Sequence, residues 1–328
     1  MVAPALDLRT PVALVIFNRP DHTMRVLNAI AAVRPRTLYV IADGPRCDRP
    51  EDERLVAETR AVIDRVDWPC ELRTCYSEEN LNCHIRIASG LDWLFADEPE
   101  AIILEDDCVP EPTFFRFCEE LLQRYRDDER VQMISGSTAT AVDDAACSYR
   151  FSRTYSIWGW ATWARAWTHY DATMRAWPRV RDTRWLENHL GDERQAMLAR
   201  TWFEAAHSGP IRQWDFQWLF SGWLRDAVAV SPSVNLVSNI GFGAGATHMH
   251  DADHSFANIP AKAMEFPLRH PAHIEIDETT ERATWEPLLA EFFSAGRALQ
   301  RRRIMGRFAT GRRALAQVRH TLWRKSTR

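Results

Sequence analysis

Between residues 12 and 135, short apolar runs alternate with stretches of helical periodicity, and this limits the chain to very few folds. VALVIF (Val12–Phe17), TLYVIA (Thr37–Ala42) and AIIL (Ala101–Leu104) read as strands buried on both faces. ELRTCY (Glu71–Tyr76) reads as a weaker strand, and VQMIS (Val131–Ser135) as a further one. Between them, Asp21 is positioned to cap a helix reaching about Val33, and helices are expected over 51–66, over 84–95 and across FFRFCEELLQRY. Strands and helices alternating at this spacing imply a right-handed, mostly parallel sheet covered on both faces, a Rossmann-like α/β architecture. Beyond about residue 140 the alternation stops. SIWGWATWARAW (Ser156–Trp167) is an aromatic stretch around a glycine hinge, and helical patterns follow at 183–190, 193–207 and 214–225. A strand-like run surrounds 235–237, and 260–285 reads as irregular. The expected organisation is a nucleotide-binding half (1–140), a helical, Trp-rich acceptor-side half packed on it (141–296), and a tail (297–328).

The stretch AIILEDDCVPEP concentrates the chemistry. Its apolar strand ends in three consecutive acids, Glu105, Asp106 and Asp107, before Pro110 and Pro112 stop it. Ligands of open α/β sheets sit at the carboxyl ends of strands. Three adjacent carboxylates repel one another, so pKa values rise unless a cation neutralises them. Mn²⁺ or Mg²⁺ bridging these acids to a substrate diphosphate satisfies the charge; a solvated acidic turn is the competing reading. Strand ends converge, so Arg19, Asp43 and the triplet are expected in one crevice. Asp43-Gly44 could accept hydrogen bonds from a base or ribose, or form an ordinary Asp-Gly turn. Arg19 and Arg86 could neutralise phosphate oxygens or form surface salt bridges. No P-loop and no G-x-G-x-x-G occurs. The glycine-rich stretch 241–245 reads as a mobile loop.

Composition narrows the setting. The chain has 328 residues and 14 tryptophans, whose flat indoles serve either as core or as platforms for sugar rings. Seven cysteines without a C-x-x-C pair point to reduced thiols and a cytoplasmic location. No signal-type segment and no run long enough to span a bilayer is visible. Charge is segregated. Residues 297–328 carry eleven Arg or Lys and no acid, leaving 30 basic against 45 acidic residues in the body. Ile304, Phe308, Leu315, Val318 and Leu322 recur at helical steps among these arginines, with Trp323 near the end. The pattern is a basic amphipathic helix suited to an anionic membrane surface, with a disordered basic tail as the alternative. The acidic body argues against nucleic acid as a partner.

Asn18-Arg19 after the first strand, Asp43 after the second, Arg86-Ile87-Ala88, and IILEDD followed by Pro112, Phe114, Phe115 and Phe117 occur here in a telling order. Over residues 12–165 the chain resembles glycosyltransferases of the GT-A fold, N-acetylglucosaminyltransferase I and related bacterial enzymes. The resemblance implies a metal-dependent, inverting transfer of a sugar from a nucleotide-diphosphate donor, a UDP-sugar being favoured. The acceptor would be a glycan or lipid-linked hydroxyl in surface polysaccharide synthesis. It further implies that Asp107 holds the metal, Asp106 meets the ribose, Glu105 the donor sugar and Asp43 the base, with Asn18, Arg19 and Arg86 near the donor. Trp158 and Trp160 match a Gly-Trp segment lining the site, and Trp214 joins them as a sugar platform. In that family an Asp of a Trp-Asp segment is the base. Here the candidate is Asp215, where the compared member has two adjacent aspartates and this chain has one; helix capping is its other reading. His248 is a second candidate metal ligand, with His250 and His254 as substitutes. A sugar-phosphate nucleotidyltransferase and a non-catalytic glycan-binding protein are the rival functions. The former needs a glycine-rich basic loop after the first strand, which FNRPDH lacks.

Overall fold

A computed structural model describes residues 7–138, 140, 146–209, 213–242 and 258–294. The 243–245 part of the glycine stretch, His248, His250, His254 and the basic tail lie outside the described residues.

The first half follows the expected alternation: β1 (Val12–Ile16), α1 (Pro20–Ala31), β2 (Thr37–Ala42), α2 (Glu51–Ala61), β3 (Glu71–Tyr76), α3 (Cys83–Asp97) and β4 (Glu100–Glu105). A 3-10 turn over Val62–Arg65 prolongs α2. Helix α1 starts earlier than expected because Pro20 fits the first turn. Arg19 takes the N-cap position, so Asp21 sits in the first turn and does not cap. The chain continues through β5 (Cys108–Pro110), α4 (Thr113–Arg124) and β6 (Val131–Ser135), the last two near their expected positions.

The second half contains strands that periodicity did not reveal. After β7 (Tyr149–Ser152), the aromatic stretch supplies β8 (Trp160–Trp163). Short helices α5 (Ala164–Trp167), α6 (Trp177–Val180) and α7 (Trp185–Leu190) precede α8 (Glu193–His207) and α9 (Asp215–Trp223). Strands β9 (Val228–Pro232) and β10 (Val237–Asn239) follow. Residues 278–294 form a helix that begins inside the 260–285 region expected to be irregular and runs past its end; Asp277 starts it by accepting from the Thr279 and Thr280 amides at 3.1 and 3.3 Å.

One eight-stranded sheet runs β3-β2-β1-β4-β8-β6-β9-β7. Strand β8 lies antiparallel between β4 and β6, and β7 is antiparallel to β9, while the other neighbours are parallel. The sheet is therefore mixed and mostly parallel, as expected for its class. Three of its strands come from beyond residue 140, so the expected division there is not a division of the sheet. β10 pairs antiparallel with β5 in a separate two-stranded ribbon.

Burial explains the arrangement. Every residue of β1 is buried, and Ala101–Leu104 of β4 is 0–1 % exposed. Truncating Ile102 or Ile103 to alanine would cost about 2–5 kcal/mol by the cavity left behind. One face packs on α1 and α4 through Val26, Ile30, Phe114 and Leu121. The other packs on α3 and the tryptophans 160, 167, 214 and 218. Helices α7 to α9 and 278–294 form a third apolar cluster around Trp177, Trp223 and Trp285. Among the described residues no helix is long and apolar enough to cross a membrane.

Candidate active site

The carboxyl ends of β1, β2 and β4 open into a cavity of about 670 Å³. Arg19, Asp43, Arg86, Glu105, Asp106, Asp107, Trp158, Trp214 and Asp215, nine of the expected residues, all line it. The thiol of Cys83, at the start of α3, marks the convergence. Burial pushes its pKa well up, and the charges of Glu105, Asp215, Asp107 and Asp43 push the same way.

Strand β4 delivers the triplet and β1 delivers its counter-charge. Arg19 Nη1 is 3.0 Å from Asp107 Oδ2 and its Nη2 is 3.2 Å from Asp106 Oδ1. Burial opposes the arginine's charge, but Asp106 and Asp107 outweigh it, so Arg19 stays firmly protonated. One arginine does not neutralise three acids. Desolvation, then Asp107 and Asp106, push the Glu105 pKa up to about 8. Desolvation pushes Asp106 up to about 7 against the pull of Arg19. The Phe17 amide donates to Asp106 Oδ2 at 3.2 Å, so this buried side chain braces Arg19 and the end of β1.

The β5–β10 ribbon lays a segment of chain against Asp107. The Ile240 amide donates to the Asp107 carbonyl at 2.9 Å, and the Gly241 amide to Asn239 Oδ1 at 2.7 Å. A Cβ on Gly241 would lie 2.0 Å from Asp107 Oδ2, so only glycine fits against the carboxylate in this position.

No group of three or more His, Cys, Asp or Glu side chains arranged to hold a metal occurs among the described residues. The donor chemistry nonetheless fits a hard cation at a phosphate site. Mg²⁺ and Mn²⁺ bind there through one or two carboxylates, with phosphate oxygens and water completing the shell. Uncompensated acid charge beside Arg19 provides that pair.

Several expected residues are committed differently. Asn18 Nδ2 donates to Asp52 Oδ1 at 2.8 Å and does not line the cavity; it braces Asp52, which also holds the Arg46 guanidinium. Asp43 Oδ1 accepts from the Gly44 and Leu81 amides, both at 2.9 Å, and its Oδ2 from Asn80 Nδ2 at 3.1 Å. It thus organises the 80–82 turn; desolvation raises its pKa against these donors. Arg86 donates from Nη2 to the Cys75 carbonyl at 2.7 Å, and its buried Nε has no partner.

Trp160 does not offer a sugar platform. It is 1 % exposed, stacks on Trp214 at 5.3 Å and leans on Trp218, because β8 carries it into the middle of the sheet. Trp214, 3 % exposed, meets the cavity without freeing a ring face. Half-buried Trp158 does line it, edge-on to Phe242. Trp202 and Phe216, stacked at 5.5 Å, also line it and were not anticipated, nor were Arg46, Arg150 and Cys83. Trp202 lies on the apolar period of α8, and nothing local separates such a ring from core.

Asp215 is the first residue of α9; Trp214 occupies the N-cap position without a side-chain cap hydrogen bond. Desolvation pushes its pKa up to about 6, partly offset by hydrogen bonds from its own and the Phe216 amides.

No protein-family model matches the chain, and none of the curated proteins does. Solved structures show faint likenesses. The 4-diphosphocytidyl-2C-methyl-D-erythritol synthase of Anaerococcus prevotii is 11% identical over 68% of this chain and 88% of its own, at a TM-score of 0.34. A mannosyltransferase of Pyrobaculum calidifontis, in complex with GDP-Man and Mn²⁺, is 13% identical over 69% of this chain and 76% of its own, at 0.37. A UDP-glucose pyrophosphorylase complexed with UDP-glucose is 9% identical over 45% and 64%, at 0.26. At these scores none of them bears on what the cavity does.

Proposed function

We propose that the chain is a metal-dependent glycosyltransferase that moves a sugar from a nucleotide-diphosphate donor, a UDP-sugar first among them, to an acceptor hydroxyl with inversion. The observation that carries this reading is the convergence of Asp43, Glu105, Asp107 and Asp215 with Arg19 and Arg86 on one cavity at the strand ends.

Arg19 and Arg86 line the β1–α3 side, where guanidinium groups suit diphosphate oxygens. The partnerless Nε of Arg86 is a donor still to be used. Asp107, with Glu105 beside it, would hold Mn²⁺ or Mg²⁺, which when bound offsets the charge that builds on the departing diphosphate. The 80–82 turn, organised by Asp43, forms the wall for the base and ribose. Trp158 and Phe216 offer aromatic surface to sugar rings, while Trp202, stacked against both Phe216 and Trp285, frees no ring face.

Asp215 takes the acceptor proton. With a pKa near 6 it is ionised at neutral pH yet more basic than a solvated carboxylate. The proton leaves the acceptor hydroxyl as its oxygen bonds to the anomeric carbon, and the bond to the diphosphate breaks on the opposite face.

A nucleotidyltransferase is disfavoured because only Phe17–Arg19 separate β1 from α1, too short a span for a triphosphate cradle. A glycan-binding module would not need nucleotide. Titration calorimetry with UDP and GDP, with and without Mn²⁺, is the test. Metal-dependent binding that Asp107→Asn abolishes is expected, and metal-independent or absent binding overturns the reading. The acceptor-bearing membrane and the basic tail's role on it belong to the same proposal: deleting 297–328 should release the protein from anionic vesicles, and equal sedimentation of both forms would refute that part.

A further inference from the structure

The cavity contains a second cationic end that the donor chemistry does not use. Arg150 is carried by β7, at the opposite margin of the sheet from β2 and β3. Four strand steps separate the β7 backbone from β4, ~19 Å at the usual spacing, and the guanidinium reaches back to Thr138 just past β6, two steps from β4 and three from β1, the strand that leads to Arg19. The Arg150 side chain lines both the main cavity and a smaller one of about 300 Å³.

What Arg150 touches does not account for its charge. Nη2 donates to Thr138 Oγ1 at 3.2 Å and Nη1 to the Pro232 carbonyl at 3.4 Å, both neutral and long. Among the described residues no carboxylate lies within ion-pair distance of it. The acids whose charge reaches it are engaged elsewhere. Glu281 accepts from Ser152 Oγ at 2.7 Å and from the Arg153 amide at 3.2 Å, and Asp277 accepts from Thr279 and Thr280 at the start of helix 278–294. Burial lowers the Arg150 pKa from its ordinary value, as expected for a guanidinium short of counter-charge. Such a group is costly in the free protein unless a ligand completes it. Ser137, Thr138 and Ser231 supply hydroxyls along the same wall.

We propose that this end of the cavity binds an anionic group on the acceptor, a sugar carboxylate or a phosphoryl group, through Arg150. This rests on the glycosyltransferase reading for the word acceptor; the anion site itself rests on Arg150. The acceptor is then held at its charged end by Arg150 while the reacting hydroxyl reaches toward Asp215.

The test uses the full-length protein with Mn²⁺ and saturating UDP, so that the diphosphate region is filled. Glucuronic acid, glucose 6-phosphate and glucose are titrated in turn, and binding is followed by tryptophan fluorescence, to which the cavity's Trp158 and Trp202 contribute. At least one acid should bind roughly tenfold or more tightly than glucose, the worth of a charge-assisted pair. Which of the two binds separates the carboxylate source from the phosphoryl source. Arg150→Gln should erase the preference, Arg150→Lys should keep part of it, and UDP affinity should stay the same in both, which also certifies folding. Equal affinity for glucose, binding of neither acid, or a preference that survives Arg150→Gln overturns the proposal. A wild-type protein that prefers an acid but ignores UDP removes the donor reading and leaves the anion site standing.

Discussion

Replacing Gly241 by alanine tests whether the position of Asp107 matters without deleting a single functional group. The added methyl would sit 2.0 Å from Asp107 Oδ2, 2.7 Å from Cγ and 2.9 Å from Cβ, all well inside contact distance. Neither side retreats freely. The Ile240 amide is bonded to the Asp107 carbonyl, the Gly241 amide to Asn239, and Asn239 pairs with Cys108 in the β5–β10 ribbon. The carboxylate therefore has to turn, and its 3.0 Å contact with Arg19 breaks. A charge-assisted hydrogen bond of this kind is worth about 1.5–3 kcal/mol, so metal-dependent UDP affinity should fall by ~10–100-fold. Calorimetry with UDP and Mn²⁺ measures it. Gly191→Ala is the matched control. That residue has φ +70° with nothing within 4 Å of its Cβ position, so the substitution costs about 1 kcal/mol of stability and leaves UDP binding alone. Wild-type affinity in Gly241→Ala would refute the assignment of Asp107 to the ion.

Asp215→Asn should lower turnover by at least ~100-fold with UDP affinity unchanged, since general-base catalysis contributes on that scale; full activity would remove it as base. In the wild type, kcat should fall as the pH drops through about 6, where Asp215 takes up a proton, and a flat profile down to pH 5 would contradict this. Without metal, stability should decline as the pH rises from about 4, where Glu105 and Asp106 ionise in the unfolded chain, to about 8. Glu105 and Asp106 hold their protons in the fold to higher pH than in the unfolded chain, so the folded state binds more protons in that window. Mn²⁺ should reduce the decline, and thermal melts at pH 5 and pH 8 with and without the ion read it out. Asp52→Ala should cost about 1–2 kcal/mol in urea unfolding, because Asn18 Nδ2 loses its acceptor while the half-exposed Arg46 guanidinium turns to water; a loss within error would mean that Asn18 finds another acceptor.

The sequence by itself determined the half of the molecule whose signals are local. An apolar run of four to six residues bounded by Asp-Gly or proline can hardly be anything but a buried strand, so β1, β2 and β4 lie where their hydrophobicity puts them. Parallel strands joined by helices bring their carboxyl ends together, and for that reason Arg19, Asp43 and the acid triplet share a cavity although Arg19 and Asp107 are 88 residues apart. Other features have no local signature. SIWGWATWARAW has an aromatic composition that suits platform and core equally, and only insertion of β8 between β4 and β6 decided that Trp160 is core. Asn18 follows β1 as its position in the sequence requires, but its side chain turns to Asp52, a buried carboxylate that also gathers the Arg46 guanidinium. The helix at 278–294 brings Thr284 and Leu288 to the cavity wall from a stretch without clear periodicity. That Gly241 must be glycine, and that Arg150 faces the cavity with no carboxylate partner among the described residues, are consequences of how separate segments of the chain pack together. Burial and pairing are properties of the assembled sheet, and no window of sequence contains them.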